Sequence, residues 1–258
     1  MTALKLLCVL AHPDDESLGT GGTLATYAAE GVSTFVITAT RGERGRFGDA
    51  GVRPPPDSVG ATREAELRAA AVELGVREVT MLGYPDGSLD AVDPVAAQEV
   101  IAGHLRRIQP QVVITFGADG AYGHPDHIAI SQLTTAAIVR AADRWRVSKL
   151  YYIAWSAGTW MAYQSALKKL TSTVDGVERQ ASPAADWSIT TRIDTRKVWP
   201  SVWRAVQCHR TQISGYAGLA AQSPDDHRAL WGRQEFYRAF SLVNGGRACE
   251  LDLFEGLR

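Results

Sequence analysis

Apolar residues in this chain fall in short runs, each closed by polar and turn-forming residues. Leu6-Leu7-Cys8-Val9-Leu10, Ser33 to Ala39, Glu78 to Leu82, Gln111 to Phe116 and Lys149 to Ala154 are such runs, and at this length they read as buried strands. Helical stretches separate them. One is opened by Gly19-Thr20-Gly21-Gly22 and ends at Glu30, with Gly31 placed as a C-cap; others cover 61–74, 94–108 and the stretch from beyond His127 to Asp143. Strands alternating with helices imply right-handed crossovers and a parallel sheet. In a Rossmann-like, doubly wound α/β sheet of order 3-2-1-4-5, the switch point lies between strands 1 and 4, and ligands bind in the crevice there. Past Ala154 the pattern loosens into an irregular C-terminal extension. It holds a hairpin turn at Val174-Asp175-Gly176-Val177, a strand near Trp187 to Ile193, and a terminal helix after Asp194 that carries His209. With 258 residues and 45% hydrophobic composition, the expectation is a single domain over 1–258.

The residues that close strands 1 and 4 are reactive ones. Ala11-His12-Pro13-Asp14-Asp15-Glu16 follows the first run, and Tyr122-Gly123-His124-Pro125-Asp126-His127 follows the fourth. A single His-Pro-Asp loop is ordinarily a polar turn whose acid starts a helix. Two copies on the strands that flank the switch point instead point to one shared metal ion. Each edge offers a carboxylate and one or two histidines, a supply that suits a catalytic zinc site with three protein ligands and a water.

Composition narrows the partners. The formal charge of -1 and the absence of a basic run argue against nucleic acid or an anionic membrane surface, and favour a small, uncharged ligand. Cys8, Cys208 and Cys249 are too few and too scattered for a disulfide framework or a cysteine zinc site; Cys8 reads as a small hydrophobe inside a strand. The apolar run at Leu6 to Ala11 is too short for a signal core or a membrane span, so a cytoplasmic protein is expected. The glycine cluster is not a dinucleotide fingerprint, because Leu24 stands where its last glycine would be and acidic residues crowd the loop. It reads as a close approach of helix to sheet. His104 reads as a surface residue. All seven tryptophans fall from Trp145 onward; they are expected to fill a core or a subunit contact, compatible with a homo-oligomer, and the stretch from Trp155 to Trp160 is the one placed to face a sugar.

Together, His-Pro-Asp-Asp-Glu near the start and His-Pro-Asp-His mid-chain resemble the zinc-dependent N-acetylglucosaminide deacetylases related to GlcNAc-phosphatidylinositol de-N-acetylase (PIG-L), often called LmbE-like. The family includes deacetylases of mycothiol and bacillithiol biosynthesis. The resemblance runs from about residue 5 to about residue 130. It implies His12, Asp15 and His127 as ligands of Zn²⁺, a set that also suits Fe²⁺, with Asp14 kept off the metal as general base. It implies His124 as an imidazolium that stabilises the oxyanion, supported by Asp126 and assisted by Tyr122. Thr40-Arg41-Gly42-Glu43-Arg44-Gly45 resembles the family's T-x-G-E-x-G and places Glu43 at the site. Arg63 matches an arginine that faces the sugar, and Asp86 a contact to substrate hydroxyls. Ala205 to Gln212 resembles A-x-x-x-H-x-[ST]-Q, although Val202 stands where the family often has lysine; His209 is expected to orient its helix.

The chemistry implied is amide hydrolysis by a metal-bound water, whose pKa such an ion lowers from ~15.7 to around 7. The expected substrate is an N-acetylglucosamine-containing small molecule. Three other readings compete with it. One is an amidase for a larger acyl group or a thiol conjugate, another a metal-containing sugar binder without turnover, for which Asp14 would be superfluous. The last is a phosphoesterase, disfavoured because spare ligands for a second ion are too few.

Overall fold

A computed structural model describes residues 3–48, 52–167, 171–174, 176–214, 217–246 and 248–258. The first strand, β1 (Lys5–Leu10), is buried at every position from Leu6 to Leu10. A strand covered on both faces needs apolar side chains throughout, hence its unbroken run. The chain continues through α1 (Asp15–Ala29), β2 (Ser33–Thr40), α2 (Pro56–Glu73), β3 (Glu78–Tyr84), α3 (Pro94–Ile108) and β4 (Val112–Thr115). A short turn of helix, α4 (Gly120–Gly123), then precedes α5 (Pro125–Ala141) and β5 (Lys149–Ala154). These five strands are parallel and ordered β3-β2-β1-β4-β5, with Leu6 opposite both Thr34 of β2 and Val112 of β4. The doubly wound core is therefore the one expected, and its switch point lies between β1 and β4.

Three helix starts lie earlier than the apolar pattern indicates, among them α5, which begins at Pro125 inside the second motif rather than beyond His127. α1 begins at Asp15, directly out of the first motif, and α2 begins at Pro56, where a fixed φ and a missing N–H suit a first turn. Glycines in α1 do permit a close approach: a Cβ at Gly19 would stand 3.3 Å from Ile153 Cδ1 of β5, and one at Gly22 2.7 Å from the Cβ of Thr195.

The C-terminal part is more regular than expected. It comprises α6 (Ala157–Leu167), a hairpin of β6 (Thr171–Val174) and β7 (Val177–Gln180), then β8 (Thr191–Asp194). Four helices follow, α7 (Trp199–Cys208), α8 (Arg210–Ile213), α9 (Ala217–Ala220) and α10 (Pro224–Trp231), and the chain returns as β9 (Arg233–Ser241). Val174 pairs with Val177 as the hairpin requires, while Asp175 of the expected turn lies outside the described residues. β9 joins the main sheet antiparallel to β5, and β8 pairs with β9, so the sheet has seven strands among the described residues. The expected strand near Trp187 starts later, after a 3₁₀ turn at Asp186–Ser188. β9 escapes pattern reading because its second half is only partly buried, and such antiparallel strands do not read as apolar runs. The chain's end is tied in by Glu250, which accepts Lys149 Nζ, Tyr151 Oη and Thr191 Oγ1, each at 2.8 Å. Among the described residues no helix is long and apolar enough to cross a membrane.

Candidate metal centre and active-site cavity

Adjacent parallel strands bring the two motifs together. His12 Nδ1 lies 3.2 Å from His127 Nε2, while Asp15 places Oδ1 3.5 Å from His127 Nε2 and Oδ2 3.7 Å from His12 Nδ1. Ligand atoms ~2.1 Å from a tetrahedral ion stand roughly 3.4 Å apart, so this spacing suits one ion. The opposite ring nitrogens are anchored. His12 Nε2 meets Asp126 Oδ2 at 3.1 Å and Asp86 Oδ1 at 3.2 Å, and His127 Nδ1 meets the Gly120 carbonyl at 3.2 Å. Anchoring one nitrogen to an acceptor leaves the lone pair of the other free for a metal. Among the described residues two further groups have donor atoms within 4.8 Å of one another, His12, His124 and His127, and His12, Asp86 and Asp126, beside the pairing of Asp15 with His12 and His127. A His/Asp cluster able to coordinate a divalent metal is thus present.

The protonation pattern of the cluster's side chains follows from their packing. Burial alone would depress His12, but hydrogen bonds to Asp126 and Asp86 and the charge of Asp15 outweigh it and lift its pKa to about 10. His127 is pushed well below the ordinary imidazole range by burial and by the charge on His12, with Phe116 stacked 3.9 Å from its ring. Burial and His12 also take His124 down to about 4. The charge of Asp126 opposes that shift without a hydrogen bond from its carboxylate to His124: that carboxylate accepts Gly87 N–H at 2.7 Å and Leu89 N–H at 3.0 Å besides facing His12. Asp126 reaches His124 through its own N–H, which donates to Nδ1 at 3.2 Å as His124 caps α5.

Asp14 stands beside the donor atoms in a strained backbone. Its φ is 109°, a region that non-glycine residues adopt at a cost of about 1–3 kcal/mol and chiefly at functional sites. Ala121, next to Tyr122, is another of the few such residues, at φ 66°. Arg63, which matches an arginine that faces the sugar, is not a surface charge: it is 3% exposed and turned inward, donating to the Gly42 carbonyl at 2.8 Å and to the Pro13 carbonyl, with Nη2 3.3 Å from Asp14 Oδ2. Gly42, at φ 63°, is needed for this, since a Cβ there would overlap the guanidinium. Burial raises the Asp14 pKa, partly offset by Arg63.

A cavity of about 420 Å³ opens over the cluster. Of the expected residues, His12, Asp14, Asp15, Arg63, Asp86, Tyr122, His124 and His127 line it. Glu43 does not. It lies behind, where Oε1 accepts the Asp86 N–H at 2.8 Å, and so braces the turn that carries Asp86. Leu18, Ile153, Trp155 and Tyr163 form an apolar wall, and Arg44 and Gln212 add polar groups that the motifs did not single out as site residues. Gln212 belonged to a motif already noticed, and Trp155 to the aromatic stretch. Ile153 and Tyr163 carry no sequence signal. Val202, fully buried, packs its side chain 3.3 Å from the position of a Cβ on Gly21, so lysine would not fit here unchanged.

A doubly wound sheet with histidines and carboxylates converging at its switch point, and a spare carboxylate at their side, defines a metal-dependent hydrolase. Residues 7–138 match the family described as PIG-L: GlcNAc-PI de-N-acetylase, and the chain belongs to it. It is accordingly a metal-dependent amidohydrolase. A relative from Kineococcus radiotolerans, 1D-myo-inositol 2-acetamido-2-deoxy-alpha-D-glucopyranoside deacetylase, is 33% identical over 98% of this chain and 83% of its own length. Among solved structures, the conserved protein TT1542 from Thermus thermophilus superposes with a TM-score of 0.66 at 28% identity, covering 94% of this chain and 97% of that one. The 4-carboxy-2-hydroxymuconate hydratase GalB of Pseudomonas putida gives 0.69 at 19% identity, covering 95% and 100%, a likeness of fold.

Proposed function

We propose that this protein removes the acetyl group from an N-acetylglucosamine-containing small molecule, with Asp14 as general base. The observation that carries the reading is the division of labour among neighbouring carboxylates. Asp15 points both oxygens at the two histidines, while Asp14 lines the cavity with its carboxylate beside Arg63. A base needs that freedom. His12, Asp15 and His127 would hold Zn²⁺ or Fe²⁺, and the ion supplies Lewis acidity and an acidified water.

The chain's own groups complete the reaction. Asp14 takes the proton of the attacking water and can return it to the departing amine. The Asp126 N–H on His124 Nδ1 leaves the ring proton on Nε2, so His124 donates as a neutral imidazole to the acyl oxygen as charge develops, with Tyr122 at its side. Asp86 and Arg63 offer polar contacts to the sugar from the cavity wall, with Glu43 fixing the main chain of Asp86. The Kineococcus relative is named as a deacetylase of 1D-myo-inositol 2-acetamido-2-deoxy-alpha-D-glucopyranoside, and a small polar N-acetylated conjugate of that class is the ligand most in keeping with the similarity. The apolar wall of Leu18, Ile153, Trp155 and Tyr163 favours, as second reading, an amide with a larger acyl group. Acetate release from a panel of N-acetylglucosaminides, with metal-stripped protein as control, tests the proposal. Metal-dependent acetate release is expected; hydrolysis confined to longer acyl amides would replace it with the second reading.

A further inference from the structure

The main chain of Asp14 is gripped from behind by two residues that the reaction does not use. Glu16, fully buried, accepts the Asp14 N–H on Oε2 at 2.9 Å, and its Oε1 faces His209 Nε2 at 2.7 Å. His209 is 2% exposed and comes from the opposite end of the chain, 193 residues on. It sits at the break where α7 stops at Cys208 and α8 restarts at Arg210, and α7 packs on α1. The imidazole does not line the cavity, so it is out of reach of substrate. A left-handed aspartate relaxes toward ordinary backbone geometry unless its surroundings over-determine it. Here a charge-assisted bond to its N–H does so, while its carbonyl starts α1 by accepting from Ser17 and Leu18.

We propose that Glu16 and His209 are a positioning pair. His209 orients the Glu16 carboxylate, Glu16 holds the Asp14 main chain, and that conformation aims the Asp14 side chain past the ligand set. His209 thereby acts on the base from outside the cavity, without touching substrate. The proposal rests on Asp14 being that base, and its test separates the two ideas.

Full-length His209→Ala, His209→Gln and Glu16→Gln would be compared with the wild type, zinc-loaded and metal-free. For His209→Ala we expect kcat to fall about 10- to 100-fold, the scale of a misaligned reacting group, with KM within about twofold. Zinc stoichiometry stays at the wild-type value, and His209→Gln, which keeps a donor toward Glu16, recovers most of kcat. In the metal-free protein, hydrogen exchange at the Asp14 amide should quicken by about tenfold or more in His209→Ala and stay slow in His209→Gln. Glu16→Gln, close to isosteric, is expected to show the same kcat-selective loss and decides the matter if His209→Ala does not fold. A wild-type kcat in either loss variant, a loss confined to KM, loss of zinc in step with activity, or a glutamine variant as impaired as alanine would overturn the pair. A wild type that hydrolyses no amide would sink the functional reading instead, and the exchange measurement would still decide whether His209 holds Asp14.

Discussion

Adjacent acids in the first motif are placed differently: Asp15 faces His12 and His127, while Asp14 lies beside Arg63. Asp14→Asn keeps a residue that tolerates the left-handed backbone and removes only the ability to take a proton. Turnover should vanish in activity assays while zinc content by elemental analysis stays at the wild-type level; a variant that loses its metal would make Asp14 a ligand and end its role as base. Arg63 supports a second prediction. Burial lifts the Asp14 pKa and the guanidinium holds it back, so Arg63→Met should raise that pKa further. The base works only when ionised, above its pKa, and the acid limb of the pH profile of kcat/KM should therefore move to higher pH, with Arg63→Lys moving it less. An acid limb that stays put would show that Asp14 does not control it. The same variant orphans the carbonyl of Pro13, at about 1–3 kcal/mol, and leaves Gly42 with the Gly45 N–H as its remaining donor, so its stability must be measured alongside.

At the scale of elements, strands β1 and β4 were legible because full burial writes itself as an unbroken apolar run, and the motifs because metal chemistry restricts residue types. Parallel topology then required the two ends to meet. What the chain did not reveal depends on contacts across great separations. Arg63 reads as one more charge on a polar helix, and only the fold of the Gly42 loop shows that it turns inward. The pairing of His209 with Glu16 needs the docking of α7 on α1, which no local pattern encodes. Trp155, one residue past β5, is an intermediate case: stacked 5.8 Å from the buried Trp160 and 5.3 Å from Tyr163, it presents a braced ring to the cavity. Trp155→Ala should raise KM about 3- to 10-fold for conjugates whose second ring reaches this wall, matching about 0.5–1.5 kcal/mol for an aromatic contact. Free N-acetylglucosamine should be affected less. Equal losses for both in steady-state kinetics would mean that the ring shapes the site as a whole.

For the whole molecule, proton and metal compete for one place. In the metal-free protein His12 is charged over most of the accessible range, since its pKa is lifted to about 10. Its Nδ1–H then donates to His127 Nε2, so a proton bridges the two nitrogens that would grip an ion. Because the folded pKa lies above the ~6.5 of an unfolded chain, this bridge stabilises the metal-free fold fully below about pH 6.5, and the contribution drains away as pH rises toward 10. An ion held by His12 and His127 would displace that proton, so its binding would strengthen as pH rises and add to the stability of the folded state by mass action. Both effects have the same sign. The rise in Tm produced by a fixed concentration of zinc should therefore grow from pH 6 to pH 8, and His12→Ala should abolish it. Thermal unfolding followed by circular dichroism, with and without metal at each pH, measures the increment. An increment that is flat or shrinks with rising pH would mean that the ion does not take the place of the proton between His12 and His127.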